Sequence, residues 1–286
     1  MIKGKRVSVR YYYMDAKRHP SPEDVAKAAV GARKAINSWR PNVVIACDDI
    51  AQQYVAKEYL HDPRLKIIFC GVNAAPEHYG YDQASNVTGV LERVPASSVR
   101  EALRVTFYPA RNRIIHIADD SESSTFVTRE LHGYSWQPFE MADSVLCRTF
   151  DDWKAAVTRA QGKDNLLLIS HYHTIRRSES AAGTVPPKEI MEWTLANSHI
   201  PAVGLFGFFV QDGGAVSYGL SSFEQGTEAA RMALEISCNG KKPTDIPIIA
   251  GRQFMISARE SELKREGIEL PVIYENFARA SNKYYP

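Results

Sequence analysis

Short apolar runs that stop abruptly at polar residues constrain this chain more than any other feature. They read "VVIAC" (43–47), "LKIIFCGV" (65–72), "NRIIHIAD" (112–119), "NLLLIS" (165–170) and "IPAVGLF" (200–206). A continuous apolar run of this length marks a strand covered on both faces, as in a parallel sheet. Between the runs the period changes. In "SPEDVAKAAVGARKAINSW", Val25, Ala29, Ala32, Ile36 and Trp39 recur at spacings of three and four, which is one helical face. Ser21 precedes it as an N-cap, with Pro22 in the first turn and Asp24 three residues after the cap. "IAQQYVAKEYL" and "SSVREALRVTF" continue the first series. "SESSTFVTRELHG", "DDWKAAVTRAQ", "PKEIMEWTLANSH" and "SSFEQGTEAARMALEISCNG" supply the helices of a second, the last with Gly240 as C-cap. "RVSVRYYYM" and "GAVSYGL" read as further strands. Strands alternating with helices imply parallel sheets with helices on both faces. Two series imply two Rossmann-like α/β lobes.

Composition excludes several classes. Of 286 residues, 44% are hydrophobic and 24% charged, the balance of a globular chain. A net charge of +2 gives no electrostatic case for nucleic acid or an anionic membrane surface. The longest apolar stretch, "IPAVGLFGFFV", has 11 residues, well short of the ~20 a spanning helix needs. "MIKGKRVSV" holds no apolar h-region, so no signal peptide is read in it. Cys47, Cys70, Cys147 and Cys238 form no CxxC pair and read as buried, reduced thiols.

Ligands of open parallel sheets bind beyond the carboxyl ends of the strands. Those positions carry Asp48 and Asp49, then Asn73, in the first half; the second half has Asp119, Asp120 and Ser121, then His171, Tyr172 and His173. Each set also suits plain helix capping. Ser121, Ser123 and Ser124 cluster at a helix start, where free amides and the dipole favour an anion such as a ligand carboxylate. Glu122 favours the plain cap. His171 and His173 share one face of a strand, but no third ligand declares itself, so no metal is read here. Ser170 and His171 are not a nucleophile–base pair, since neighbours on a strand face opposite ways. No GxSxG, GxGxxG, P-loop or HExxH motif is present. No catalytic residue and no cofactor are therefore assigned.

"FCGVNAAPEHYGYDQASNVTGVLERVP" and "IPAVGLFGFFVQDGGAVSYGLSSFEQGTEAARMALEISCNGKKPTDIPI" resemble the corresponding stretches of ABC-transporter substrate-binding proteins of the tryptophan/tyrosine-binding type. The resemblance spans roughly residues 5–275. It implies a type I periplasmic-binding-protein architecture, crossed three times by the chain. Lobe one is expected over 1–91 plus 216–242, and lobe two over 93–214 plus 244–286. Carried over, it places Asp48, Asp49 and Asn73 on the cleft edge of lobe one, with Val87 to Glu92 as the first crossover. Asp119, Ser121, Ser123, Ser124, His171 and Tyr172 line lobe two, with Phe208, Phe209 and Asp212 near the second crossover. The ligand-binding set is thus these residues with Glu92, and with Phe209 serving only as part of an apolar wall beside Tyr54, Tyr172 and Phe208. Two departures stand out. Relatives often have Gly-Thr or Thr-Pro where this chain has Asp48-Asp49. The chain also opens on what the resemblance makes the second strand, "RVSVRYYYMDAKR": either the start lies too late or the first βα unit of lobe one is absent, and its loss would leave edges unpaired.

The function implied is a non-enzymatic one: an extracytoplasmic solute-binding protein of an ABC importer, periplasmic or lipid-anchored. Its expected partners are a small amino-acid-like or carboxylate solute and the permease subunits, with no nucleic acid, and the chain is expected to be a monomer. One aspartate at the end of "VVIAC" would meet the ligand while the other caps the next helix. The alternatives are a ligand-sensing domain of a signalling system and, third, an α/β enzyme using Asp48, His171 or His173.

Overall fold

The computed structural model describes residues 7–181 and 183–286. In chain order the elements begin α1 (Pro22–Trp39), β1 (Val43–Cys47), α2 (Asp49–Tyr54), β2 (Lys66–Val72) and β3 (Val87–Leu91). Next come α3 (Ala96–Phe107), β4 (Arg113–Asp119), α4 (Glu122–His132), β5 (Glu140–Met141), β6 (Val145–Cys147), α5 (Phe150–Arg159) and β7 (Asn165–Ile169). Then follow α6 (Pro187–Asn197), β8 (Ala202–Gly204), α7 (Phe208–Gln211), β9 (Val216–Leu220) and α8 (Ser222–Asn239). The last are β10 (Ile249–Ala250), β11 (Phe254–Arg259), α9 (Glu260–Glu266), α10 (Val272–Ala280) and β12 (Tyr284–Tyr285).

The described residues form two compact units, one within 7–92 and 222–251 and the other within 93–221 and 252–286. The smaller has a parallel four-stranded sheet in the order β1-β2-β3-β10. Its core sets Ile68, Cys70 and Val90 against Ala229 and Met232 of α8. Gln225 of α8, itself buried, fastens two strand ends: its Oε1 accepts from Gly71 N at 3.1 Å and its Nε2 donates to Leu91 O at 3.1 Å. The larger unit has eight strands in the order β12-β11-β9-β8-β7-β4-β5, with β6 also on β4. All its pairings are parallel except β9 with β11. Leu166 and Leu168 of β7 face a core with Val99, Leu103 and Val127, while Leu167 and Ile169 face one with Trp153, Ile190 and Met191. Both faces of β7 are buried, which is why its sequence is unbroken Leu and Ile.

Local signals act as the sequence predicts. Ser21 Oγ accepts from Asp24 N at 3.1 Å to cap α1. At α5, Thr149 Oγ1 accepts from Asp152 N while Asp152 Oδ2 accepts from Thr149 N, a capping box. The "IAQQYVAKEYL" helix breaks instead into α2 and a 3₁₀ turn over Ala56–Tyr59.

Three expectations are corrected. In "RVSVRYYYM", Arg6 lies outside the described residues, and residues 7–14 form no strand; Val9 is 62% and Tyr13 83% exposed. Among the described residues β1 pairs with β2 alone and Ile45 on it is 42% exposed, so residues 7–14 are not laddered to its other edge. Secondly, Val216–Leu220, expected in lobe one, pairs with β8 and β11 inside the larger unit's sheet. The chain passes between units at 221/222 and 251/252 rather than near 215 and 243. Thirdly, all four cysteines are free thiols, but Cys47 is exposed, because it ends the edge strand.

Candidate functional site

In the smaller unit the turn after β1 is built around strain. Asp48 has φ 74° and ψ 155°, a conformation usually reserved for glycine. Its N donates to Cys70 O at 3.0 Å, tying the turn to β2. Its carboxylate accepts from Asp49 N at 2.9 Å as the cap of α2 and pairs with Lys17 at 2.6 Å. A glycine would adopt this backbone without strain, whereas an aspartate holds it at a cost.

Asp49 does something different. It is fully buried and accepts from Asn73 N, Asn73 Nδ2, Ala74 N and Tyr79 Oη, at 2.8–3.3 Å. It is therefore not the solvated, ligand-facing carboxylate expected from the sequence. Its oxygens hold the 73–74 turn, and its removal would strand those donors. Asn73 Nδ2 also reaches Glu92 Oε2 at 3.4 Å. Burial, then the charge of Asp48, pushes the Glu92 carboxyl up to about 7, against the pull of Lys17 and Asn73. Asp48, Asn73 and Glu92 thus form one acidic group of side chains, suited to an ammonium or hydroxyl.

In the larger unit Asp119 is the hub. Its Oδ1 accepts from the hydroxyls of Ser121 and Ser124, each at 2.6 Å, and its Oδ2 from Thr174 N at 3.0 Å. Burial alone would raise its pKa, but nearby His171 and these donors outweigh it and hold the carboxyl below its ordinary value. Ser121 Oγ in turn accepts from Ser124 N as the cap of α4. This corrects the anion-site expectation for Ser121 and Ser124: the helix start already has a carboxylate of its own, which repels a second anion. Ser123 is buried beside them. Tyr172 is also buried, with its hydroxyl donating to Oδ2 of the half-buried Asp212 at 2.7 Å.

What the larger unit does present is a set of rings. Phe206 and Phe208 stack at 5.3 Å, His171 lies 4.6 Å from Phe206, and His173 meets Phe208 edge-on at 4.6 Å. Tyr172 backs Phe208 at 5.5 Å. Phe206, Phe208 and His173 are half-buried, and His171 is almost covered. Phe209 is core, fully buried. Tyr54 is exposed on the smaller unit. Sequence reasoning missed Phe206 and Lys17; the alternation in "LFGFF" was the available signal for the first. Ser170, also behind the rings, pairs with His116 Nε2 at 2.8 Å, while Ser144 holds His116 Nδ1 at 2.9 Å. Burial, then His171 and His132, drives His116 down to about 3, so it is neutral at physiological pH. Among the described residues no group of three or more His, Cys, Asp or Glu is placed to hold a metal ion.

Residues 8–272 match the model of the family described as ABC transporter substrate binding protein. The chain belongs to this family. No curated protein matches it. Among solved structures it is similar to a conserved domain protein from Vibrio cholerae, at 16% identity and a TM-score of 0.67, covering 90% of this chain and 82% of that one. A second is an ABC domain from Streptococcus pneumonia in complex with L-Trp (17%, TM-score 0.66, 88% and 84% covered). A third is a ligand-free, open substrate binding protein with adhesive properties from Clostridium difficile (21%, TM-score 0.61, 87% and 80% covered). These identities establish the shared two-lobed α/β fold of the family. No helix among the described residues is long and apolar enough to cross a membrane.

Proposed function

We propose that this chain is the extracytoplasmic solute-binding component of an ABC importer, that it delivers to permease subunits, and that its solute is a small aromatic amino acid or a close relative. The observation that carries the reading is the ring face of His171, His173, Phe206 and Phe208 at the carboxyl ends of β7 and β8. Such a face favours a flat apolar group over a sugar or an aliphatic chain. The carboxyl oxygens of Asp48, already paired with Lys17, and of Glu92, raised to about 7, are acceptors that suit an ammonium. The L-Trp complex of the streptococcal neighbour agrees with this chemistry.

Calorimetric titration with tryptophan, tyrosine and phenylalanine, their deaminated acids, leucine and arabinose tests it. Aromatic amino acids should bind and leucine and arabinose should not. Phe208→Ala should weaken aromatic binding by about tenfold, the loss of one ring contact and its buried area. Binding of arabinose or leucine in preference to every aromatic compound would overturn the reading.

A further inference from the structure

We infer that Cys47 and Cys70 are a dithiol pair that closes to a reversible disulfide across β1 and β2. The inference rests on placement in the smaller unit alone and is independent of the proposed solute.

The two residues are direct register partners on adjacent parallel strands. Neighbouring strands run about 4.8 Å apart, inside the roughly 4.4–6.8 Å that Cα atoms of disulfides span. The side chains already face one another, with the sulfur atoms 3.3 Å apart. Joining them brings the sulfurs closer by about 1.3 Å, from 3.3 Å to the roughly 2.05 Å of a disulfide.

Their environments divide the labour. Cys47 ends an edge strand and is exposed, so an oxidant in solution reaches it. Cys70 is buried behind it. The Cys70 thiol, hydrogen-bonded to Cys47, favours the Cys47 thiolate, against burial and the charge of Asp48. The same hydrogen bond, with burial, pushes Cys70 up. An accessible sulfur with thiolate character beside a retained thiol is the arrangement of attacking and resolving cysteines. Cys147 is opposite Asp119 in register, and both Cys147 and Cys238 are buried.

With a low-molecular-weight disulfide as oxidant, the Cys47 thiolate attacks one of its sulfurs and releases one thiol, leaving a mixed disulfide. Cys70, losing its proton to solvent, then attacks Cys47 Sγ and releases the second thiol. Two S–H bonds are lost and one S–S bond forms; the oxidant takes up two electrons and two protons. The bond would close a loop spanning 23 positions and fix the exposed end of β1 to β2, directly before Asp48.

The test uses the full chain, reduced and then exposed to oxidised glutathione, quenched in acid, alkylated and mapped by non-reducing mass spectrometry. The wild type should lose about 2 Da and yield a linked Cys47–Cys70 peptide that dithiothreitol separates, with Cys147 and Cys238 still alkylatable after denaturation. Cys70→Ser, and Cys70→Ala as a second variant, should accumulate a glutathione adduct on Cys47 that the wild type does not retain. A persistent adduct on wild-type Cys47, or two thiols left free, would overturn the inference. The wild-type arm decides without any substitution, so a variant that misfolds leaves the result standing.

Discussion

At the residue scale, two acids adjacent in sequence have unlike roles because the strand end turns between them. Asp48 points toward Lys17 and caps α2, while Asp49 turns inward to four donors. The sequence offered two carboxylates at a strand end and the general rule about where ligands bind. It carried no sign that Tyr79 and the 73–74 turn would claim Asp49, since that depends on how a loop 24 residues away folds back. Glu92, expected at the first crossover and in the ligand-binding set, is half-buried near the charges of Asp48 and Asp49. Its carboxyl is raised from an ordinary 4.5 to about 7. The native state therefore keeps a proton that the unfolded chain loses between those pH values. The stability this gives is complete below about pH 4.5 and is lost as pH rises through about 7. The gap corresponds to about 3 kcal/mol. His116 runs the other way, its pKa being lowered to about 3, so stability linked to it is lost as pH falls below about 6.5. Comparing wild type with Glu92→Gln cancels the His116 contribution. Urea unfolding from pH 4 to 8 should show the variant gaining on the wild type as pH rises, by about 2–3 kcal/mol at pH 8. A constant difference across that range would show that Glu92 titrates normally.

At the scale of elements, the "SNVTG" run that marks the family resemblance is structural chemistry. Asn86 Nδ2 donates to the carbonyls of Tyr59, Asp62 and Leu65, and its Oδ1 accepts from His61 N. Thr88 Oγ1 donates to Ile246 O at 2.8 Å. A Cβ on Gly89 would sit 2.4 Å from Phe69 O, so only glycine lets β3 approach β2 there. Asn86→Ala leaves three carbonyls and one amide without this partner at a buried position, and should cost about 3–4 kcal/mol. Thermal and urea unfolding measure it; a loss under 1 kcal/mol would mean that water replaces the amide at little cost. Most elements were legible because both-face burial writes itself as "VVIAC" or "NLLLI", and because caps such as Ser21 and Thr149 are local. Pairing is not local. The residues of 7–14 have strand character, yet a strand needs a neighbour, and β1 does not provide one. "VSYGL" was legible as a strand but not as the larger unit's, since its membership is decided by pairing with β8 and with Phe254–Arg259, which lies beyond α8 in the chain.

At the scale of the whole molecule, the chain visits each unit twice, and the second visits are short. The larger unit is interrupted only by 222–251, between β9 and β11. Those strands are antiparallel neighbours, with Leu220 opposite Phe254 and Ser221 N donating to Gln253 O at 3.1 Å. The two ends of the interruption are thus already held as the ends of a hairpin. The larger unit's cores, around Leu103, Leu166 and Tyr218 on one face and Trp153, Leu167 and Tyr172 on the other, are made from its own residues. Residues 93–221 joined to 253–286 through a two-residue Asn-Gly turn should therefore fold alone, because that turn matches the twist of an antiparallel pair. Trp136 and Trp153 are buried in it, so native tryptophan fluorescence, a near-ultraviolet circular dichroism signal and one cooperative unfolding transition are the expected results. The ring face of Phe206 and Phe208 goes with this unit, so the excised piece should retain weak binding of aromatic amino acids. A collapsed chain with secondary structure but no near-ultraviolet signal would show instead that the larger unit depends on residues 1–92 and 222–252 to pack.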